Sequence, residues 1–119
     1  MITLDKIKLV ASLDCIIDYN ETVFSIVRRR GIVHTLKFKT EEPFSLSIEI
    51  HYDVRELVLE FTGKILGKDY PKLISIETIE ACFNRLNELG VCRIDPAKMM
   101  SAEVVKCDVT KDIPIDDVA

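Results

Sequence analysis

Strict alternation of apolar and polar residues in two neighbouring stretches, 45–52 and 55–62, is the feature that most constrains the fold. The apolar positions are Leu46, Ile48, Ile50 and Tyr52 in the first stretch and Leu57, Leu59 and Phe61 in the second. The alternate positions are Ser47, Glu49 and His51, then Glu56, Val58 and Glu60. A period of two is typical of half-buried strands, because successive side chains point to opposite faces of a sheet. With a turn at Asp53, the pattern predicts two antiparallel strands.

Other segments extend this sheet. Residues 2–11 have β-like composition, and β-branched and aromatic residues in 22–27 and 32–39 flank Arg28 to Gly31, which predicts a hairpin. Residues 13–20 fit either a short helix or a loop. A strand over Ala102 to Ile113 closes the chain, and its apolar face is Val105, Cys107, Val109 and Ile113.

The spacing predicts one main helix over 76–89, with Ser75 as its cap and Gly90 as its left-handed stop. Its apolar stripe is Ile76, Ile79, Cys82, Phe83, Leu86 and Leu89. Asp95-Pro96 predicts a second, shorter helix, because Asp caps helices and Pro suits the first helical position. We therefore expect a single α+β domain over residues 1–119, an antiparallel sheet with both helices packed on one face.

Length and composition exclude several classes. A chain of 119 residues can bury a core without disulfides, and no apolar run approaches the roughly 20 residues of a membrane-spanning helix. Charges at Asp5, Lys6 and Lys8 interrupt any secretory signal near the amino terminus. The four cysteines lack metal-site spacing, which favours buried free thiols in a reducing compartment. We expect a cytoplasmic protein without a membrane partner.

The formal net charge of −4 argues against a strongly basic nucleic-acid-binding domain. The sequence nevertheless contains one local basic cluster, which consists of Arg28, Arg29 and Arg30. Lys37 and Lys39 follow in the next predicted strand. Such a cluster can contact DNA phosphates. It can equally be a solvated hairpin whose charges discourage edge-to-edge pairing.

Acidic residues alternate along the predicted outer face of the sheet. They are Glu49, Glu60, Asp108 and Asp112, with His51 among them. Carboxylates on one surface can bind Mg²⁺ or Mn²⁺ through their oxygens, although a solvated strand face has the same pattern. Nucleotide-binding loops and hydrolase motifs are absent from the sequence, and nothing beside Tyr19, Tyr52 or Tyr70 activates a nucleophile. No catalytic residue is assigned.

The order of segments in the second half resembles a known family. LVLEFTGKILGKDY precedes the helix IETIEACFNRLNELGV and then AEVVKCDVTKDI, and the chain starts with MITLDKIKL. In this order the segments are similar to the amino-terminal part of the rolling-circle replication initiators of phages and plasmids, of the filamentous-phage nicking-joining type.

The resemblance implies cutting of one DNA strand at an origin through a tyrosine, with Mg²⁺ or Mn²⁺ polarising the scissile phosphate. Glu60, Asp108 and Asp112, as metal ligands, and Lys64, as a DNA contact, match positions in the family's pattern. The same hypothesis predicts binding of an origin hairpin or single strand through Arg28 to Arg30. The nucleophilic tyrosine of that family lies further towards the carboxyl end than residue 119 reaches. Two hypotheses stay open: an amino-terminal domain of a longer initiator, or a relative without nicking activity.

A different class of function also fits the sequence. A protein-interaction or self-assembly module without nucleic-acid affinity would use a sheet face or edge, and the acidic charge and the segment IPIDDVA favour it. A complete metal-dependent nuclease is the weakest hypothesis, because neither a base nor a nucleophile accompanies the carboxylates.

Overall fold

The computed structural model describes residues 4–42 and 44–109. Its strands are β1 (Leu4–Ser12), β2 (Ile16–Tyr19), β3 (Ser25–Arg29), β4 (Ile32–Thr40), β5 (Leu46–His51), β6 (Glu56–Thr62), β7 (Cys92–Ile94) and β8 (Glu103–Val109). The helices are α1 (Ile79–Glu88) and α2 (Pro96–Met99), and 3-10 helices cover Leu13–Cys15, Glu21–Val23 and Gly63–Lys72.

Six strands form one antiparallel sheet in the order β3-β4-β5-β6-β1-β8. The other two, β2 and β7, pair antiparallel in a small second sheet. This architecture confirms the predicted α+β class with one main helix and a short second helix. The segment 13–20, for which a short helix and a loop were both open, forms a 3-10 turn followed by the strand β2.

One face of the large sheet forms the core, and the opposite face is polar. The buried rows are Ile7, Leu9 and Ala11 on β1, Leu46, Ile48 and Ile50 on β5, and Leu57, Leu59 and Phe61 on β6. Cys82, Phe83 and Leu86 of α1 and Met99 of α2 belong to the same apolar cluster. We call the polar side the open face. Its central residues include Ser47, Glu49 and His51 of β5 and Glu60 of β6.

The helix α1 begins at Ile79, three residues later than its apolar stripe predicts. A turn over 75–78 precedes it, in which Thr78 Oγ1 donates to the Leu73 carbonyl at 2.7 Å and accepts from Ser75 N–H at 2.8 Å. Ser75 Oγ accepts from Glu77 N–H at 3.2 Å and so caps this turn instead of the helix. Helical periodicity does not apply before Ile79, and Ile76 is 79% exposed.

The predicted start of the short helix and the predicted end of the main helix are confirmed. Asp95 caps α2 by accepting from Ala97 N–H at 3.0 Å, and Pro96 is its first residue. Gly90 ends α1 with φ of +75°. Cys15, Cys82 and Cys92 are buried and free, and burial raises the pKa of Cys82 and of Cys92 to about 12. Among the described residues, the helices are too short or too polar to span a bilayer.

Candidate nucleic-acid interface

The hairpin of β3 and β4 extends past the end of β5. Thr35 of β4 pairs with His51, the last residue of β5. Beyond this point β4 pairs in register with β3, through Val33 opposite Arg28 and Ile32 opposite Arg29. We call residues 28–33 the ribbon tip. It projects from the corner of the sheet as a two-stranded ribbon.

A two-residue turn closes the ribbon tip. Arg30 and Gly31 have φ of +53° and +80°, the pair of left-handed conformations that a type I′ turn requires. A bulge between Val27 and Arg28 precedes it, and bulges increase the local strand twist. An arginine at a left-handed position is unusual, because Gly and Asn adopt this backbone at lower cost.

The predicted arginine cluster lies at this tip. Arg28, Arg29 and Arg30 are all exposed. Within residues 4–42 and 44–109, none of them has a carboxylate partner, whereas Arg85 pairs with Glu88 and Arg93 with Asp18. Because they have no carboxylate partner in the described part of the chain, the three exposed guanidinium groups have donors available to an external anion.

A groove of about 300 Å³ lies at the base of the ribbon tip. Its lining residues are Arg29, Ile32, Val33, His34, Tyr52 and Asp53. His34 Nε2 lies 2.9 Å from Asp53 Oδ2, and Tyr52 N–H donates to the His34 carbonyl at 3.1 Å. The groove therefore combines the cation of Arg29 with the flat rings of His34 and Tyr52. A cation can bind a phosphate, and a flat ring can stack on a base.

Hydrogen bonds fix the two histidines beside this groove. Thr35, which is buried, has its Oγ1 2.8 Å from His34 Nδ1 and 3.4 Å from His51 Nδ1. The second nitrogen of His51 lies 2.8 Å from Glu49 Oε1. The resulting chain runs from Glu49 through His51, Thr35 and His34 to Asp53. These contacts give both imidazoles a structural role.

Tyr52 is held in its protonated form. Its hydroxyl contacts the Tyr19 hydroxyl, and burial followed by this hydrogen bond raises the pKa of Tyr52 to about 12. A nucleophilic phenol needs a base or a nearby positive charge that lowers its pKa. The two tyrosines join β2 to the turn after β5. The alternating pattern predicted Tyr52 as the last residue of a strand, but β5 ends at His51.

The acidic residues predicted as metal ligands are only partly brought together. Glu60 lies on the open face of β6, and Lys6 Nζ is 3.3 Å from its Oε2. The backbone of Asp108 lies opposite Lys6 on the far side of β1, while Asp112 lies outside the described residues. Within the described part of the chain, no cluster of three or more His, Cys, Asp or Glu residues could hold a metal ion. The Mg²⁺ or Mn²⁺ site stays a prediction.

Lys64 lies at the other end of the sheet from the arginines. It follows Thr62, which pairs with Lys6, whereas the ribbon tip lies beyond the His51 and Glu56 end. Lys37 and Lys39 occupy the open face of β4, opposite Glu49 and Ser47. The structure therefore groups the three arginines with His34 and Tyr52, and it separates Lys64 from them.

Sequence reasoning found the arginines but missed the groove. His34, Tyr52 and Asp53 come from β4 and from the turn after β5, and only the strand register brings them beside Arg29. Comparisons of the chain with protein-family models, with curated proteins and with solved structures give no match.

Proposed function

We propose that this chain is a DNA-binding module of a rolling-circle replication initiator and that it contacts an origin hairpin through the ribbon tip. The observation that supports DNA binding is the projection of Arg28, Arg29 and Arg30, exposed and unpaired within the described residues, from a two-stranded ribbon. Such a ribbon fits the major groove of a duplex, and arginine forks bind phosphates and guanine edges.

The charge distribution favours one approach of the DNA. The chain has a net charge of −4 although the ribbon tip concentrates three positive charges. An acidic body repels the polyanion while the basic corner attracts it, so the tip meets the DNA first. The groove with His34 and Tyr52 lies directly behind the tip, where an unstacked base of a hairpin loop can be held.

The role in replication rests on the resemblance of the second half of the chain to the initiators. In this proposal the chain supports strand nicking by holding the origin, and Tyr19 and Tyr52 take no part in the cut. Glu60, Asp108 and Asp112 are the proposed ligands of Mg²⁺ or Mn²⁺. Three buried free thiols, Cys15, Cys82 and Cys92, support a reducing, cytoplasmic location.

Fluorescence anisotropy with a labelled DNA hairpin and a matching single strand tests the proposal, at two salt concentrations and with and without Mn²⁺. We expect saturable binding that weakens with salt, and each of Arg28→Ala, Arg29→Ala and Arg30→Ala should lower the salt slope by about 1. Lys68→Ala removes an exposed charge elsewhere and is the matched control.

The outcomes separate the parts of the proposal. Equal affinity of the wild type and the triple arginine variant would remove the ribbon tip as the DNA-binding site. Weakening by Lys64→Ala alone would move the site to the far end of the sheet. Binding that needs Mn²⁺ and is lost in Glu60→Gln would support the metal ligands.

A further inference from the structure

The groove at the base of the ribbon tip contains two opposite charges that do not neutralise each other. Arg29 and Asp53 both line it, and within residues 4–42 and 44–109 no ion pair joins the two. Asp53 instead contacts His34 Nε2 at 2.9 Å, and 44% of its side chain is exposed. A ligand that binds both charges must offer an anionic group to the guanidinium and hydrogen-bond donors to the carboxylate.

The carboxylate of Asp53 is ionised at neutral pH. Burial alone would raise its pKa, but the Val54 N–H and the neighbouring His34 outweigh this effect, and the pKa lies below its ordinary value of 3.8. An ionised carboxylate only accepts hydrogen bonds, with about four lone-pair sites on its two oxygens. His34 and the backbone use part of this capacity. The exposed part remains available to the donors of a ligand.

The walls of the groove suit a flat, largely apolar ring. Tyr52 is 38% exposed and Ile32 is 72% exposed, and Val33 and His34 also line the groove. Tyr52 is fixed at both ends, because its N–H donates to the His34 carbonyl at 3.1 Å and its hydroxyl contacts the Tyr19 hydroxyl. A fixed aromatic ring is a stacking surface for a base. The volume of about 300 Å³ is large enough for one nucleobase.

We propose that this groove binds one guanine nucleotide, which rests on the proposed function because the loop of the bound hairpin would supply the nucleotide. Guanine has two adjacent donors on its Watson–Crick edge, N1–H and the N2 amino group. These two donors match the two oxygens of Asp53, while Tyr52 stacks on the base and Arg29 binds the phosphate of the same nucleotide.

The other bases match the carboxylate less well. Adenine and cytosine each place a ring-nitrogen acceptor beside the amino group, and this acceptor would face an oxygen of Asp53. Thymine has a single N–H between two carbonyl oxygens. For each of these bases, repulsion between two acceptors replaces one of the two hydrogen bonds that guanine makes, and an unmatched polar contact of this kind is costly.

The position of Asp53 also favours a role in selecting a base. A carboxylate next to a DNA-binding surface repels phosphates and so lowers affinity for DNA in general. The same carboxylate raises the difference in affinity between guanine and the other bases, which is what specificity requires. Arg28 and Arg30, on the same ribbon tip, provide sequence-independent contacts to phosphates.

Fluorescence anisotropy with a series of DNA hairpins tests the site. The hairpins share one stem and a loop of thymidines, in which one thymidine at a time is replaced by deoxyguanosine, deoxyadenosine, deoxycytidine or deoxyinosine. We expect one loop position at which deoxyguanosine binds about tenfold more tightly than the others. Deoxyinosine keeps N1–H but lacks the N2 amino group, so it should lose most of this gain without any change in the protein.

Asp53→Asn should abolish the preference for guanine over hypoxanthine, the base of deoxyinosine. The variant keeps the shape of the side chain and an oxygen that can accept from His34. It also removes one negative charge, which by itself raises the affinity for every hairpin. Asp14→Asn makes the same charge change at an exposed residue outside the groove and is the matched control, in which the preference should remain.

Titration with the free nucleotides dGMP and dAMP tests the groove without a hairpin. The NMR signals of the His34 and Tyr52 rings should shift at lower concentrations of dGMP than of dAMP, and Asp53→Asn should remove this difference. Equal affinity for hairpins with all loop bases, or a guanine preference that survives Asp53→Asn, would overturn the guanine site and leave the ribbon tip as the DNA-binding surface. A selective response to dGMP without hairpin binding would support the guanine site and overturn the proposed function. No response to hairpins or to dGMP would overturn both.

Discussion

The ammonium group of Lys6 lies 3.3 Å from Glu60 Oε2 on the open face of the sheet. Lys6 belongs to β1, the strand between β6 with Glu60 and β8 with Asp108, and its register partner on β8 is Asp108. A lysine thus stands between two of the residues predicted to bind Mg²⁺ or Mn²⁺. It supplies the positive charge that a metal ion would otherwise bring to Glu60.

Lys6→Gln is therefore expected to tighten Mn²⁺ binding at Glu60, because the metal no longer displaces an ammonium group. Isothermal titration with MnCl₂ measures the affinity, and Glu60→Gln should abolish the gain. Lys37→Gln, also on the open face, removes a lysine opposite Glu49 and is the control. If Lys6→Gln and the wild type bind Mn²⁺ equally, Glu60 is not a ligand.

Tyr52 should titrate at high pH and contribute to alkaline unfolding. Its pKa of about 12 exceeds the ordinary value of 10.0, chiefly through burial and then through the Tyr19 hydroxyl. The folded state thus favours the protonated phenol, and the resulting stability is complete below pH 10 and is lost as pH rises towards 12.

Urea unfolding measured at a series of pH values should show this loss in the wild type and a flatter profile in Tyr52→Phe. Ultraviolet absorbance of tyrosinate follows the titration directly. Tyr19→Phe should lower the pKa of Tyr52, since it removes the hydrogen bond. A tyrosine titrating below its ordinary pKa in the wild type would instead indicate an activated nucleophile and contradict this assignment.

The small sheet should respond to acid. Arg93 Nε donates to both carboxylate oxygens of Asp18 at 2.9 and 3.1 Å, and these hydrogen bonds lower the Asp18 pKa below 3.8. Because the pKa of Asp18 is lower in the folded state, the pair contributes stability at pH values above the pKa of the unfolded state. This stability is lost as the pH falls through the pKa of the folded state. Carboxyl NMR titration of Arg93→Gln should show the Asp18 pKa raised, with Arg85→Gln as control. An unchanged pKa would mean that the pair does not persist in solution.

The central strands β5 and β6 could be predicted because their burial follows a period of two. Ile48 opposite Leu59, at the centre of the sheet, shows the agreement most clearly. The start of α1 could not be predicted, because Ile76 fits the helical period while Thr78 and Ser75 fold the preceding residues into a turn. Apolar spacing does not reveal where helical geometry begins.

The arginine cluster of the candidate site could be predicted, because Arg28, Arg29 and Arg30 are consecutive in the sequence. The groove with His34, Tyr52 and Asp53 depends on the register between β4 and β5, which sequence alone does not fix. The ion pair between Lys6 and Glu60 could not be predicted from the sequence, because the pairing of β1 with β6 brings the two residues together.

Truncation to alanine should lower the free energy of unfolding far more at Phe83 than at Ile76. Phe83 is 1% exposed, and Phe83→Ala should lower the free energy of unfolding by about 3 to 5 kcal/mol. Ile76→Ala should change it by no more than about 0.5 kcal/mol, because the side chain is 79% exposed. Urea unfolding of dilute protein measures both. A comparable loss in the two variants would place Ile76 in the core and extend α1 to the predicted start.

Arg30 should show opposite effects on stability and on DNA binding. Its φ of +53°, followed by Gly31 at +80°, gives a type I′ turn, for which Asn-Gly is a preferred sequence. Arg30→Asn should therefore raise the free energy of unfolding by about 0.5 to 1 kcal/mol, because Asn adopts the left-handed backbone more readily. The same variant should bind the DNA hairpin more weakly, because one guanidinium is lost from the ribbon tip. Arg30→Ala is the matched control, with equal loss of affinity and no gain in stability. If Arg30→Asn is more stable and keeps full affinity, Arg30 does not contact DNA. DNA binding then does not offset the conformational cost of an arginine in the left-handed backbone.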